Sequence, residues 1–260
     1  MCPPPPGWQD CLRLAPNYLG PNRTELCVSD LDGGNRLRLA CSGLLSTGDW
    51  SPDSSQLIFT DDTSGESKGY IVGADGRGLR QIGRVEGLIS VIFWSGDGKS
   101  LYISTVKPGA RAKPTVWKAN ADGSNVERFV DGCFAFDAAP DGKYLLASLP
   151  FGDEVGIYEI PIADRKCILL LPGVVTFQLH FARDGKSFLY PVATHAEVTF
   201  YRQAWRDGKV IGKPEVALKL PFAFPLSYQG NAYDFSRDLS TIVYARPGEQ
   251  ADLYLLSRAQ

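Results

Sequence analysis

The two histidines of the chain are the side chains best suited to acid–base chemistry near neutral pH. His180 stands directly before Phe181 inside a strand-like apolar run, so we expect a structural role for it. His195 lies in a longer polar stretch with Glu197 two residues further on, a pairing that could transfer a proton. No paired histidine, Cys–His arrangement or G-x-S-x-G sequence supports it. We therefore predict no catalytic residue and a chain that is not an enzyme.

The cysteines do not form a metal-binding or redox pattern. Zinc and disulfide-exchange sites need short ligand spacings such as C-x-x-C, and none occurs in this sequence. We predict no metal and no cofactor, and we expect most cysteines to be free thiols, with Cys27 and Cys167 buried in apolar strands. A bridge among the four cysteines nearest the N-terminus remains an alternative. The six cysteines are Cys2, Cys11, Cys27, Cys41, Cys133 and Cys167.

Five aspartates recur in one phrase, of which "FWSGDGKSLYIST" (residues 93–105) is the clearest copy. They are separated by 44, 44, 43 and 54 residues. Five equivalent carboxylates cannot all serve one asymmetric active site. An Asp followed by Gly suits a tight turn, in which the carboxylate accepts backbone N–H bonds and the Gly takes a positive φ. We therefore predict five structural turns, at Asp53, Asp97, Asp141, Asp184 and Asp238.

The elements around each turn form a repeating unit of strand, turn, strand, longer loop, strand, turn, strand. Four antiparallel strands at a period of 40–50 residues are typical of a propeller blade. Stepping back from Trp50 leads to Trp8, in a shortened first copy. We predict an all-β, six-bladed β-propeller with four antiparallel strands per blade and a degenerate first blade. Its single domain covers residues 8–260, after a Pro-rich segment at 1–7.

The packing between repeats and the closure of the ring also follow from the repeat. The last copy ends after its third strand, so its fourth strand either comes from the N-terminal residues or is missing. Four units have an aromatic residue at the end of the first strand, and we expect these rings to pack between adjacent blades. They are Trp50, Trp94, Phe181 and Phe235.

The phrases "WSPD" (50–53), "WSGDGK" (94–99) and "NADGSN" (120–125) resemble the TolB-like, WD-repeat-related propeller family. Its usual pattern is W-S-P-D-G-K, an apolar strand, and N-A-D-G-S. The likeness covers residues 45–258 and departs from the pattern at Ala138-Ala139 and Leu239. The ending "ADLYLLSR" is similar to the sensor propellers attached to bacterial receptor-like serine/threonine kinases. The resemblance implies the fold, and it implies function only by analogy.

The binding residues are expected in the connections between the second and third strands of each unit and in those between units. These connections differ from one another, and variable loops on a rigid frame are where binding residues accumulate. An aromatic insertion (221–231) adds a possible anchor, or a plug that packs back on the fold. The predicted ligand- or partner-binding residues are Asp61, Asp62, Lys107, Arg111, Phe151, Asp153, Glu154, His195, Phe222, Phe224, Tyr228 and Arg246.

Composition restricts the class of partner. The net charge of −2 over 260 residues gives no field that would attract nucleic acid. No apolar run approaches the roughly 20 residues that span a bilayer, so we expect no direct membrane insertion. The N-terminus lacks the features of a signal peptide, and the resemblance would place the chain outside the cytoplasm if it belongs to a receptor kinase or an adaptor. We expect a monomer, or a domain of a larger chain.

The predicted function is that of a non-catalytic binding or sensor propeller, which holds a protein, a peptide or a small ligand at the loops around its channel. One alternative is a propeller hydrolase or lyase with a site at the mouth of the channel. Another is a structural repeat domain of a larger protein.

Overall fold

The chain is built entirely from β-strands in the part that the computed structural model describes. That part comprises residues 24–28, 34–42, 45–62, 66–109, 113–152, 154–194, 197–220, 233–246 and 252–257. It holds 21 strands in six sheets and no helix, so no helix long and apolar enough to cross a membrane occurs in these ranges. The chain divides into two compact units, residues 1–134 and 135–260.

The first unit contains three sheets. The first sheet has two strands, and each of the others has four antiparallel strands that pair in chain order. The strands are β1 (Thr24–Val28) and β2 (Leu37–Ser42); β3 (Leu45–Trp50), β4 (Gln56–Asp61), β5 (Lys68–Gly73) and β6 (Arg80–Gln81); and β7 (Leu88–Trp94), β8 (Ser100–Val106), β9 (Thr115–Asn120) and β10 (Glu127–Asp131).

The second unit, which begins within β11, has two four-stranded sheets and one three-stranded sheet. Its strands are β11 (Phe134–Ala138), β12 (Tyr144–Leu149), β13 (Gly156–Pro161) and β14 (Ile168–Pro172); β15 (His180–Phe181), β16 (Ser187–Ala193), β17 (Val198–Arg206) and β18 (Lys209–Leu220); and β19 (Tyr233–Phe235), β20 (Thr241–Arg246) and β21 (Asp252–Ser257).

The predicted plan of four antiparallel strands per unit is confirmed in four of the six sheets. The first sheet shows two strands and the last shows three within the described residues. The shortened copy around Trp8 lies outside them. Six closed blades in one domain therefore stay a prediction.

The repeated aspartates are turn residues. In the turn between β7 and β8, Oδ1 of Asp97 accepts hydrogen bonds from the Ser95 hydroxyl at 2.7 Å and from the Lys99 N–H at 3.0 Å. The same bonds recur at Asp238, where the Ser236 hydroxyl lowers the pKa of the carboxyl to about 2. A carboxylate that accepts several hydrogen bonds resists protonation. The turn bonds thus explain why Asp recurs at this position.

The recurring aromatic residues fill the core between neighbouring sheets, as predicted. Trp94 lies in one cluster with Ile58 and Ile71 of the preceding sheet and with Leu101 and Ile103 of its own sheet. Buried rings contribute large apolar areas to such contacts. The corresponding clusters of three other pairs of neighbouring sheets contain Trp50, Phe181 and Phe235.

The cysteine prediction is partly wrong. Cys27 is a free, buried thiol, as expected. Cys133 and Cys167, however, are both disulfide-bonded. Spacing along the chain did not reveal this, because cysteines far apart in sequence can be brought within bonding distance by the stacking of strands.

The turns give a matched test of backbone strain. Ser54 and Gly98 occupy the same turn position and have φ values of 59° and 69°, in the left-handed region that costs a non-glycine residue about 1 kcal/mol. We expect Ser54→Gly to raise the free energy of unfolding and Gly98→Ser to lower it, each by about 1 kcal/mol or less. Urea unfolding measures both. A change of the same sign in both variants would contradict the assignment.

Candidate functional site

Three connections of the first unit meet through exposed ion pairs. Glu66, between β4 and β5, lies 3.9 Å from Arg84, between β6 and β7. Glu86, in the same β6–β7 connection as Arg84, lies 2.8 Å from Lys107, which follows β8. All four side chains are largely exposed. The predicted residue Lys107 is thus paired with the β6–β7 connection, which a second ion pair links to the β4–β5 connection. We call Glu66, Arg84, Glu86 and Lys107 the connection cluster.

The charges of the connection cluster act on one another and on the next sheet. The hydrogen bond and the charge of Lys107 lower the pKa of Glu86, with smaller contributions from Arg128 and Arg84. Burial acts to raise the pKa of Asp131, but bonds from Thr115 and Arg128 bring it below the usual value, with help from Lys107. The lowered pKa values keep Glu86 and Asp131 ionised near neutral pH.

Two other predicted residues of the first unit, Asp61 and Asp62, lie at the end of β4 and directly after it. Asp61 stands opposite Lys68 in the register of these two strands. Asp62 accepts a hydrogen bond from the Ser67 hydroxyl. Asp61 thus ends β4, and Asp62 lies in the connection that carries Glu66.

The remaining candidates that the structure describes lie in the second unit. Phe151 is 40% exposed in the connection from β12 to β13, and the backbone carbonyl of Glu154 in the same connection accepts a hydrogen bond from the Tyr158 hydroxyl at 2.5 Å. Arg246 ends β20, opposite Asp252. Six candidates lie outside the described residues: Arg111, Asp153, His195, Phe222, Phe224 and Tyr228.

A buried carboxylate in the second unit was missed by the sequence analysis. Asp137 is the second-to-last residue of β11, and only 5% of its side chain is exposed. Its two oxygens accept a bidentate pair from the Arg237 guanidinium at 2.7 and 2.8 Å. They also accept the backbone N–H groups of Phe181 at 2.8 Å and of Ala138 at 2.9 Å. One side chain thus connects three sheets.

His180 lies beside this carboxylate. Its Nδ1 is 3.9 Å from Oδ2 of Asp137, beyond hydrogen-bond distance. Its ring packs against Phe235 in a T-shaped arrangement, with the two ring centroids 4.9 Å apart. The carboxylate of Asp137 thus accepts four hydrogen bonds from groups other than His180.

A carboxylate of the first unit makes the same kind of bond to the backbone of the next sheet. Oδ2 of Asp49, the residue before Trp50, accepts the backbone N–H of Trp94 in the next sheet at 3.1 Å. Asp137 holds the equivalent position before Ala138 and bonds the N–H of Phe181. Aligning the repeats one residue before the aromatic position would have revealed this signal in the sequence.

A second buried carboxylate links β13 and β17. Oε2 of Glu159 accepts the indole N–H of Trp205 at 3.1 Å, and Glu159 is 3% exposed. Burial raises the pKa of Glu159, although the bond from Trp205 acts in the opposite direction. A raised pKa in a buried carboxyl means that the folded state binds its proton more tightly.

A metal centre is not formed by the described residues, since no group of three or more His, Cys, Asp and Glu side chains is arranged to hold an ion there.

Comparisons with known proteins identify the fold. No family model matches the chain, and no curated protein matches it by sequence. Among solved structures, TolB from Acinetobacter baumannii is 19% identical, with a TM-score of 0.69 over 95% of this chain and 59% of that chain. The periplasmic gluconolactonase of Pseudomonas aeruginosa is 18% identical, with a TM-score of 0.57 over 92% of this chain and 80% of that chain.

A third similar structure is an oligogalacturonate lyase in complex with manganese, 14% identical with a TM-score of 0.57 over 73% of this chain and 56% of that chain. The chain therefore spans less than two thirds of the TolB and lyase chains that it matches. At these identities the likeness shows the fold, that of TolB-like β-propellers.

The prediction that the chain is not an enzyme is corrected by these comparisons. A gluconolactonase, 6-phosphogluconolactonase-like proteins and an oligogalacturonate lyase share the fold with TolB. One propeller frame thus carries both binding proteins and enzymes, so few histidines and the lack of a familiar motif do not exclude catalysis.

The Asp137–Arg237 pair predicts a large loss of stability on truncation. Arg237→Ala leaves a buried carboxylate without its guanidinium, and removal of one partner of such a pair costs about 3 kcal/mol. Arg237→Lys keeps the charge but not the two parallel bonds, so its free energy of unfolding should lie between those of the natural chain and Arg237→Ala. Urea unfolding measures both, with Lys186→Ala, an exposed cation, as the control. Equal stability of Arg237→Ala and the control would contradict the role of the pair.

The raised pKa of Glu159 predicts a dependence of stability on pH. Because the folded carboxyl holds its proton more tightly than the unfolded one, its contribution to stability is full below the unfolded pKa and is lost as pH rises through the folded pKa. Glu159→Gln keeps an acceptor for Trp205 and removes the titration. Its advantage in free energy of unfolding over the natural chain should therefore grow from pH 4 upwards.

Glu159→Ala is the matched comparison, since it also removes the titration but leaves the buried indole N–H of Trp205 without an acceptor; it should be less stable than Glu159→Gln by roughly 1–3 kcal/mol at every pH. Parallel curves of stability against pH for the natural chain and Glu159→Gln would overturn this explanation.

Proposed function

We propose that the chain is a binding propeller and that its partner docks on the connection cluster of the first unit. The observation that carries the proposal is the convergence of three separate connections in the ion pairs Glu66–Arg84 and Glu86–Lys107. Exposed ion pairs contribute little to folding, about 0–1 kcal/mol each. Their charges are therefore available to a partner at small cost to the fold.

The partner proposed here is a protein, a peptide or a small ligand that carries charges of both signs. Complementary charges steer encounter and select a partner more than they add affinity. Six closed blades over residues 8–260 belong to the same proposal, because a rigid frame is what would keep the connections in place. Attachment to a receptor-like kinase, which the resemblance implies, would give such binding a sensor role.

Site-specific photocross-linking in the native host tests this proposal. A benzoylphenylalanine placed at Arg84 or Lys107 should form a covalent adduct with the partner, while the same probe at Lys143 or Lys186, in turns between first and second strands, should not. Adducts from the turn positions alone, or from none of the four, would count against binding at the connections. The second outcome would favour a structural repeat domain.

The exchanged pair Glu86→Lys/Lys107→Glu sharpens the test. The swap keeps an ion pair and the net charge, so the free energy of unfolding should stay within about 0.5 kcal/mol of the natural value. A partner that recognises the pattern of charges should be lost, and the adduct from Arg84 with it. An undiminished adduct would show that these charges do not select the partner.

An enzyme is the second candidate function, because a gluconolactonase and an oligogalacturonate lyase share the fold. Glucono-δ-lactone and oligogalacturonate are the direct substrates to test. Acid release from the lactone in a pH-stat, or new ultraviolet absorbance from the unsaturated product of elimination, should exceed that of buffer alone. Neither signal at high protein concentration would remove this candidate and leave the binding proposal intact.

A further inference from the structure

The turn between β17 and β18 sets the register of the hairpin from Ala204 to Ile211, beyond which the register shifts. Asp207 and Gly208 form a two-residue connection with φ values of 47° and 79°. Two successive positive φ values are those of a type I′ turn, which matches the twist of the strands it joins. The register that follows places Arg206 directly opposite Lys209 and Trp205 opposite Val210.

The inner side of this hairpin is anchored. Trp205 is buried, donates its indole N–H to Glu159, and packs against the rings of Tyr144 at 5.1 Å and Phe181 at 5.4 Å. Val210, its cross-strand partner, joins the same core cluster. Because side chains alternate along a strand, the neighbours of these two residues face away from the core.

The outer side carries unneutralised positive charge around an exposed apolar side chain. Arg206 and Lys209 are exposed, directly opposite each other, and without an ion pair among the described residues. Like charges opposite each other destabilise a sheet. Ile211 is 44% exposed beside them, and Lys213 is exposed two residues further along β18. We call Arg206, Lys209, Ile211 and Lys213 the outer hairpin surface.

We propose that the outer hairpin surface is a docking site for an extended acidic segment of a partner protein, in which carboxylates alternate with apolar residues. Residues 197–220 carry five cations and three anions, a charge of +2 in a chain whose net charge is −2. A bound carboxylate between Arg206 and Lys209 turns a repulsion within the hairpin into two attractions. β18 also pairs only with β17 among the described strands, so its other edge can accept a strand.

Other occupants fit the surface less well. A second copy placed hairpin to hairpin would bring its cations against these cations. Nucleic acids and anionic membranes carry many charges along an extended surface, and three cations supply few of the contacts that binding to such polyanions requires. The apolar Ile211 between lysines favours alternating carboxylates and apolar side chains.

Fluorescence anisotropy tests the proposal with a labelled peptide of alternating Glu and Val residues and the full chain. The natural chain should bind this peptide and not the same peptide with Lys in place of Glu. Lys209→Glu/Lys213→Glu should weaken binding about tenfold or more, as expected for reversed charges at an interface. The control Lys99→Glu/Lys186→Glu makes the same change in net charge and should stay within about twofold.

Arg206→Gln separates binding from a structural role. Loss of the repulsion with Lys209 should leave the Tm unchanged or raise it, while affinity for the acidic peptide falls. A fall in Tm together with unchanged affinity would overturn the proposal. The proposal is also overturned if the natural chain does not bind the peptide, or if both lysine double variants lose the same affinity. Tighter binding of phosphatidylglycerol vesicles or single-stranded DNA than of the peptide would contradict it as well. So would a dimer in light scattering that Lys209→Glu/Lys213→Glu abolishes.

Discussion

The carboxylate of Asp137 connects strands from three sheets of the second unit through four hydrogen bonds. A buried anion costs several kcal/mol to desolvate and persists only where donors surround it. Here the donors come from its own strand, from the backbone of β15 and from the turn after β19. Each bond requires its sheet to stand at a fixed distance from Asp137, so the ion pair sets the spacing that the aromatic clusters then fill.

The first unit has a similar bond between neighbouring sheets. Asp49 bonds the backbone N–H of Trp94 in the next sheet. The ring of Trp94 then packs between the isoleucines of the two sheets. A polar bond thus sets the offset of neighbouring first strands while apolar burial supplies most of the free energy. This division fits the adjacent Asp49 and Trp50, where one side chain makes the polar bond to the next sheet and the other fills the core.

Local features of the fold were predictable from the sequence, and long-range contacts were not. Turn chemistry acts over a few residues, so the phrase around Asp97 was enough to predict its bonds and the strands on either side. Asp137 and Arg237 are 100 residues apart, and their pairing depends on how three sheets assemble. The same holds for the bond between Trp205 and Glu159 and for the disulfides of Cys133 and Cys167. Lys107 was predicted as a binding residue from its loop alone, whereas its partner Glu86 became evident only once β6–β8 were in place.

Charge has opposite uses in the interior and on the surface of this protein. Buried carboxylates such as Asp137 are saturated with donors, so they stabilise the fold and leave little capacity for a ligand. Exposed charges contribute little to stability, and Arg206 facing Lys209 even opposes it. A surface arrangement that costs stability and is held in register by a rigid turn has no folding advantage of its own. Its retention on an anchored hairpin is better explained by a partner whose carboxylates lie between the two cations than by the needs of the fold.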